Sequence, residues 1–241
     1  MLKTMVRAAL DVVLPAHCLS CNEPVGGKGL LCGDCFAAAE FITAPFCGHC
    51  GLPLAEPAPL CTACDWDPPR YRAARAALRY GPAAKRLILP FKYADRPEAA
   101  AGLAALLLRP GAELLARAEV LVPVPLHRRR LAQRGYNQAG ELARALGRRT
   151  GTPVLIDGLI RTRATRPLAE LDQHEREMAL RGAIAVRPSR QAGLAGRSVL
   201  LIDDILTSGA TASACAEALY DAGAAAVDVL ALARVADHAE T

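Results

Sequence analysis

The chain has 241 residues, 52% of them hydrophobic and only 4% aromatic, with nine cysteines and a net charge of +5. At roughly 150 residues per domain, that length suits one sizeable α/β core with a smaller module. The longest apolar run outside the strand at 199–202, residues 99–108, contains Gly102 and is too short to cross a bilayer, so no membrane span is expected.

Residues 1–14 place Leu2, Met5, Val6, Leu10 and Val13 at helical spacing, with Asp11 interrupting the apolar stretch. This predicts an N-terminal amphipathic helix rather than a signal peptide. A lipobox-like stretch ends at Cys18 but carries His17 where a small residue is needed, so a cytoplasmic protein is expected.

Eight cysteines then form four C-x-x-C pairs: Cys18 with Cys21, Cys32 with Cys35, Cys47 with Cys50, and Cys61 with Cys64. The second tetrad repeats the first at a constant shift of 29 residues, so residues 15–67 read as a duplicated module. Two C-x-x-C turns direct four thiolates to one point and complete a tetrahedral site with no open position, the pattern of structural Zn2+. Disulfides do not suit a chain read as cytoplasmic, while spacing alone leaves iron–sulfur ligation open. Pairing within each repeat is the default, with cross-bracing between repeats as the alternative. His17 and His49 adjoin ligand cysteines without being needed, and Trp66 is expected to pack the ribbon against the following domain.

From Arg70 the cysteines stop and α/β alternation begins, placing a second domain over 70–241. Strands are expected at 75–80, 120–122, 154–156, 183–186, 198–202 and 226–231. Helices are expected at 83–93 with a kink or break at Pro90, at 98–108, at 127–148 broken by Gly135, and at 210–222. This alternation predicts a mostly parallel sheet flanked by helices. Cys215 falls on the last helix as a small buried residue. Charge is uneven: residues 120–190 hold fourteen arginines and no lysine against six acidic residues. Arginine's planar fork suits phosphates, whether of a small ligand or of nucleic acid.

The most informative segment is 199–211. Val199, Leu200, Leu201 and Ile202 read as a buried parallel strand, and Asp203 and Asp204 appear where it is expected to end, the position at which open α/β sheets bind ligands. Thr207, Ser208, Gly209, Ala210 and Thr211 follow at a helix start, where hydroxyls and backbone N–H groups make an anion cradle. Carboxylates repel a phosphate, so the two parts must hold different ends of one ligand, ribose hydroxyls at the aspartates and a 5′-phosphate at the loop.

That segment resembles the binding motif for phosphoribosyl pyrophosphate (PRPP) of type I phosphoribosyltransferases, with Ser208 where threonine is usual. Val122-Pro-Val-Pro-Leu126, the string Arg134-Gly-Tyr-Asn-Gln-Ala139 and the cysteine module together resemble the competence protein ComF family, along essentially the whole chain. The resemblance implies a type I phosphoribosyltransferase-like α/β domain behind a zinc-ribbon module. It also implies a bacterial protein of DNA uptake in natural transformation, with PRPP, single-stranded DNA and other DNA-uptake proteins as partners and Mg2+ accompanying PRPP. By position it implies Arg128 as a phosphate ligand in the loop 126–130. It gives Asp203 and Asp204 the catalytic place, and makes 161–182 the loop covering the site. In that loop Leu168, Ala179 and Ile184 replace the usual glutamine, asparagine and phenylalanine, while Arg176 is retained. Two alternatives accompany this reading: an active transferase of nucleotide salvage, and a non-catalytic PRPP-sensing regulator.

Overall fold

The computed structural model describes residues 16–25, 30–93, 96–163, 173–180 and 182–236. The helix expected at 1–14, and Leu168, lie outside them.

The architecture centres on a fully parallel four-stranded sheet. Its strands are β1 (Ala73–Arg79), β2 (Val120–Pro123), β5 (Ser198–Leu206) and β6 (Ala226–Arg234), in the spatial order β1-β6-β5-β2. β6 is buried at every position, as a central strand covered on both faces must be. Successive side chains leave a strand on opposite faces, which divides the core in two. Leu121, Leu200, Ile202 and Leu230 pack with helices α3 (Pro82–Tyr93), α4 (Ala100–Leu108) and α7 (Gln138–Thr150). Val122, Val199, Leu201 and Val229 face α9 (Ala210–Asp221) and a small antiparallel pair, β3 (Leu159–Arg161) with β4 (Ile184–Val186).

Several expectations change in detail. β5 runs on to Leu206, because β6 continues beside it and pairs with Asp203, Ile205 and Leu206. On its other side β2 ends at Pro123, opposite Ile202, so the aspartates stand on a strand whose second flank has opened. The strand expected at 154–156 shrinks to one bridge between Val154 and Leu121. The strand near 183–186 exists but leaves the main sheet for β3, burying Leu159 and Ile184 against Leu180 and Leu194. α3 passes through Pro90 without a break, and the 127–148 region divides at Gly135, left-handed at φ 76°, into α6 (Arg128–Arg134) and α7. Within the expected covering loop, residues 173–180 form helix α8.

Trp66 is 90% exposed and does not pack against the sheet domain. Its short helix, α2 (Thr62–Trp66), turns Cys64 inward, and contact with the sheet comes instead from residues 40–42, which pair along β1, and from the 47–51 knuckle. Ala74 N–H donates to the His49 carbonyl at 2.6 Å, Arg75 Nη1 donates to the Gly48 carbonyl at 3.0 Å, and the Arg75 guanidinium lies over the Phe46 ring.

Candidate functional site

A cavity of about 780 Å3 opens where β2 stops short of β5. Asp203, Asp204, Thr207 and Thr211 line it, together with Lys92, Arg130, Arg134 and Arg161. Strand alternation places the two carboxylates in different surroundings. Asp204 receives Lys92 of α3, Nζ to Oδ1 at 3.1 Å, both side chains largely shielded from solvent. Asp203 accepts the Asp204 N–H at 2.8 Å and is half-buried, with Arg161 and Cys215 nearby. Loss of hydration, and next the Asp204 charge, push its carboxyl up to about 7, although Lys92 and Arg161 pull the other way. Arg161 is itself weakened as a base, first by burial and then by the like charge of Arg130. Two guanidiniums close enough to repel, facing a common cavity, form a place where an anion lowers the energy of both.

The turn after β5 is built from backbone. Gly209, at φ 86°, caps α9 without a side-chain hydrogen bond of its own; Ser208 Oγ accepts the Ala210 N–H at 3.5 Å, and among the described residues the following N–H groups of the first turn have no side-chain partner. A Cβ there would meet the Tyr71 hydroxyl at 2.8 Å, which restricts the position to glycine. Thr207 and Thr211 face the main cavity, whereas Ser208 and Ala210 line a smaller one of about 190 Å3 beside Arg70 and Glu217. Arg128 is exposed in the first turn of α6 and does not line the main cavity; Arg130 of the same run does.

The 134–138 string acquires a structural role. Asn137 caps α7 through the Ala139 N–H at 3.1 Å and donates from Nδ2 to the Val124 carbonyl at 3.0 Å. The Tyr136 hydroxyl donates to the Phe91 carbonyl, and Gln138 Nε2 donates to the Lys92 carbonyl at 3.4 Å. These bonds satisfy the otherwise open carbonyls at the end of α3 and fix Lys92 opposite Asp204. Arg134 donates to Gln138 Oε1 at 3.2 Å and lies over the exposed Tyr93 ring at 5.1 Å, at the mouth of the cavity. Arg130 falls in the loop 126–130 marked by resemblance, although Arg128 is the residue singled out there; Lys92 and Arg161 have no sequence signal of their own beyond positive charge beside a predicted strand or helix end.

Each cysteine tetrad gathers as a set, with all four sulfurs within 4.8 Å of one another. Cys21 Sγ and Cys32 Sγ lie 3.7 Å apart, and Cys50 Sγ and Cys61 Sγ 3.8 Å. A tetrahedron of ~2.3 Å zinc–sulfur bonds has edges of about 3.8 Å. The sets therefore fit one ion each, are too tight for a multi-iron cluster and too wide for disulfides, and pair within repeats without cross-bracing. Burial disfavours the Cys18 and Cys47 thiolates, but backbone N–H groups outweigh it and lower these thiols to about 6 and about 7. Cys21, Cys35, Cys61 and Cys64 of the same sets are raised, so one thiolate in each set forms most readily and the crowded sulfurs beside it hold their protons. His49 is not a ligand; its Nε2 donates to the Tyr71 carbonyl at 2.5 Å.

The double zinc ribbon domain family matches residues 9–65, and the phosphoribosyl transferase domain family matches 131–241. The DNA utilization protein YhgH of Salmonella typhimurium is 31% identical over 231 residues, covering 92% of this chain and 99% of that protein. Competence protein F of Haemophilus influenzae is 29% identical over 90% of this chain and 96% of its own length. The chain belongs to the competence protein ComF family. Within that family, competence protein ComFC of Bacillus subtilis is 29% identical over 81% of this chain and 80% of its own. Among solved structures, a B. subtilis glutamine PRPP amidotransferase is 22% identical with a TM-score of 0.40, over 59% of this chain and 30% of that one. A Staphylococcus aureus hypoxanthine phosphoribosyltransferase is 17% identical with a TM-score of 0.34, over 58% and 69% of the two chains. The ComF-family architecture is thus a phosphoribosyltransferase-type parallel sheet with structural zinc ribbons ahead of it, and no described helix is long and apolar enough to cross a membrane.

Proposed function

We propose that this ComF-family chain binds PRPP with Mg2+ in the 780 Å3 cavity and acts in the cytoplasm on single-stranded DNA during DNA uptake or use. One observation carries the PRPP reading: a single cavity brings together two carboxylates, Thr207 and Thr211 on either side of the Gly209 cap, and three arginines, the complement of a ribose flanked by phosphates. Asp203 and Asp204 hold the 2′- and 3′-hydroxyls, and the 207–211 turn receives the 5′-phosphate on backbone N–H groups and the two threonine hydroxyls. Arg130 and Arg161 face the pyrophosphate, whose Mg2+ neutralises part of its charge; carboxylate and phosphate oxygens are the donors this hard ion prefers. The same aspartates favour positive charge at C1′ if its bond to pyrophosphate loosens. Arg128 stands outside this set as an exposed cation in the first turn of α6.

The DNA reading draws on the names of the YhgH and competence relatives and on the exposed cations Arg128, Arg129, Arg144 and Arg148. Tyr93, 70% exposed beneath Arg134, adds a surface on which a base can stack.

Calorimetric titration with PRPP and Mg2+ tests the first half. Asp203→Asn with Asp204→Asn is expected to abolish binding while leaving zinc content and circular dichroism unchanged; wild-type affinity in that variant refutes the site. Release of pyrophosphate on adding an acceptor would identify a transferase.

A further inference from the structure

The second cysteine set is wired to the phosphate turn through one buried cation. Arg234, the last residue of β6, is 8% exposed. Its Nε donates to the Cys50 carbonyl at 3.3 Å, and Nη2 lies 3.9 Å from Cys50 Sγ. Its Nη1 donates to the carbonyls of Leu206 at 3.3 Å, Thr207, and Val235 at 2.7 Å. One guanidinium thus spans a ligand cysteine and the turn that leads into Gly209. No carboxylate pairs with it among the described residues, although a buried charge calls for a counter-charge. Four thiolates around one divalent ion carry a formal charge of about −2, which supplies it.

A second link runs in parallel. His49 holds the Tyr71 carbonyl, the two rings meet edge to face with centroids 5.8 Å apart, and the Tyr71 hydroxyl stands under Gly209. Among the described residues the first set makes no such contact: Leu19 and Leu30 pack at Gly102 of α4, and Ser20 accepts from Arg86, on the opposite face of the sheet.

We infer that Arg234 is a positioning residue, holding the 206–209 turn in its phosphate-receiving shape only while metal occupies Cys47, Cys50, Cys61 and Cys64. Metal in the second ribbon and a phosphoribosyl ligand at the turn therefore stabilise one another. Without the ion the four sulfurs lose the anchor that holds Cys50 against Arg234, and the Leu206 and Thr207 carbonyls lose a fixed donor. The inference rests on the turn being the 5′-phosphate site. Linkage is reciprocal, so the ligand must also retain the metal, and couplings of this kind amount to about 5- to 150-fold.

The test follows zinc release from the full-length, zinc-loaded chain to a colorimetric zinc chelator, with Mg2+ in excess, with and without PRPP. Cys18→Ser with Cys21→Ser identifies the phase that belongs to the second set. PRPP is expected to slow that phase at least about fivefold and to leave the first set's release unchanged. Arg234→Met is expected to abolish this protection and to weaken PRPP binding by a similar factor. Arg234→Lys, which keeps the charge but loses the fork, serves if the methionine variant does not fold, and is expected to lose most of the protection. If PRPP binds the wild-type chain but slows neither set, or both equally, or still protects the second set in the Arg234 variant, the coupling is refuted. If PRPP gives no binding heat with the zinc-loaded wild type, the phosphoribosyl reading itself falls.

Discussion

Asp203 and Asp204 line one cavity yet have different partners, and only Asp204 has a lysine in contact. The poorer solvation of Asp203 makes its proton a measure of the site. Its carboxyl lies near 7 in the fold against an ordinary 3.8. Between these values the folded chain keeps a proton that the unfolded chain has released, so this residue's contribution falls as pH rises. The stabilisation is fully present below about pH 4 and is lost as pH passes through about 7. Asp203→Asn removes the effect. The variant is expected to melt a few degrees above wild type at pH 8, with the gap closing as pH falls to 4, by calorimetry at matched ionic strength. A gap independent of pH refutes the assignment. The aspartates and Gly209 were legible in the sequence because one continuous segment carries them. Lys92 and Arg161 were not, since nothing local distinguishes a lysine at the end of α3 from any solvated cation. Within the marked loop 126–130 the choice of Arg128 over Arg130 depends on which side chain the helix turns toward the cavity.

At the scale of elements, the parallel strands were readable because strands buried on both faces must be continuously apolar. Their ends were not, because an end depends on where the neighbour stops: β5 outlasts its expected length beside β6 and is left open beside β2. β6 also carries a polar node that no periodicity reveals. Asp228, 2% exposed, accepts from Arg72 at 2.6 and 3.1 Å and from Arg117 at 2.8 and 3.1 Å, joining the edge strand's N-terminus to helix α5 (Ala112–Arg117). Removing a buried partner of such pairs leaves unmatched charge, softened here because both arginines reach solvent. Asp228→Ala is expected to cost on the order of 2–3 kcal/mol by urea unfolding, with PRPP affinity of the folded fraction unchanged.

For the whole molecule, the duplicated cysteines made the ribbons legible, since metal geometry dictates spacing. How they meet the sheet was not, because Cys50 and Arg234 are 184 residues apart and Trp66 offered a misleading anchor. The arginine-rich surface gives a prediction at the same scale. With Arg129 and Arg148 both exposed, Arg129→Ala with Arg148→Ala is expected to weaken single-strand binding. The slope of log affinity against log salt should become shallower by about 0.7 for each phosphate that the variant no longer neutralises. An unchanged slope in fluorescence anisotropy excludes both residues from the DNA-binding surface.

The strand order β1-β6-β5-β2 sets the schedule on which the chain can fold as it is made. β1 emerges from the ribosome early and can pair at once with residues 40–42, but its parallel partner in the sheet is β6, the last of the described strands. The cysteine tetrads need only near neighbours and can take up metal well before that. Through most of translation the nascent chain is therefore a metal-stapled head followed by an unclosed sheet, whose apolar edges wait for the final strand. A messenger truncated anywhere before the codons for β6 leaves the inner edge of β1 unpaired and Arg234 missing, so quality-control proteases meet an open edge on a head that has already loaded its metal.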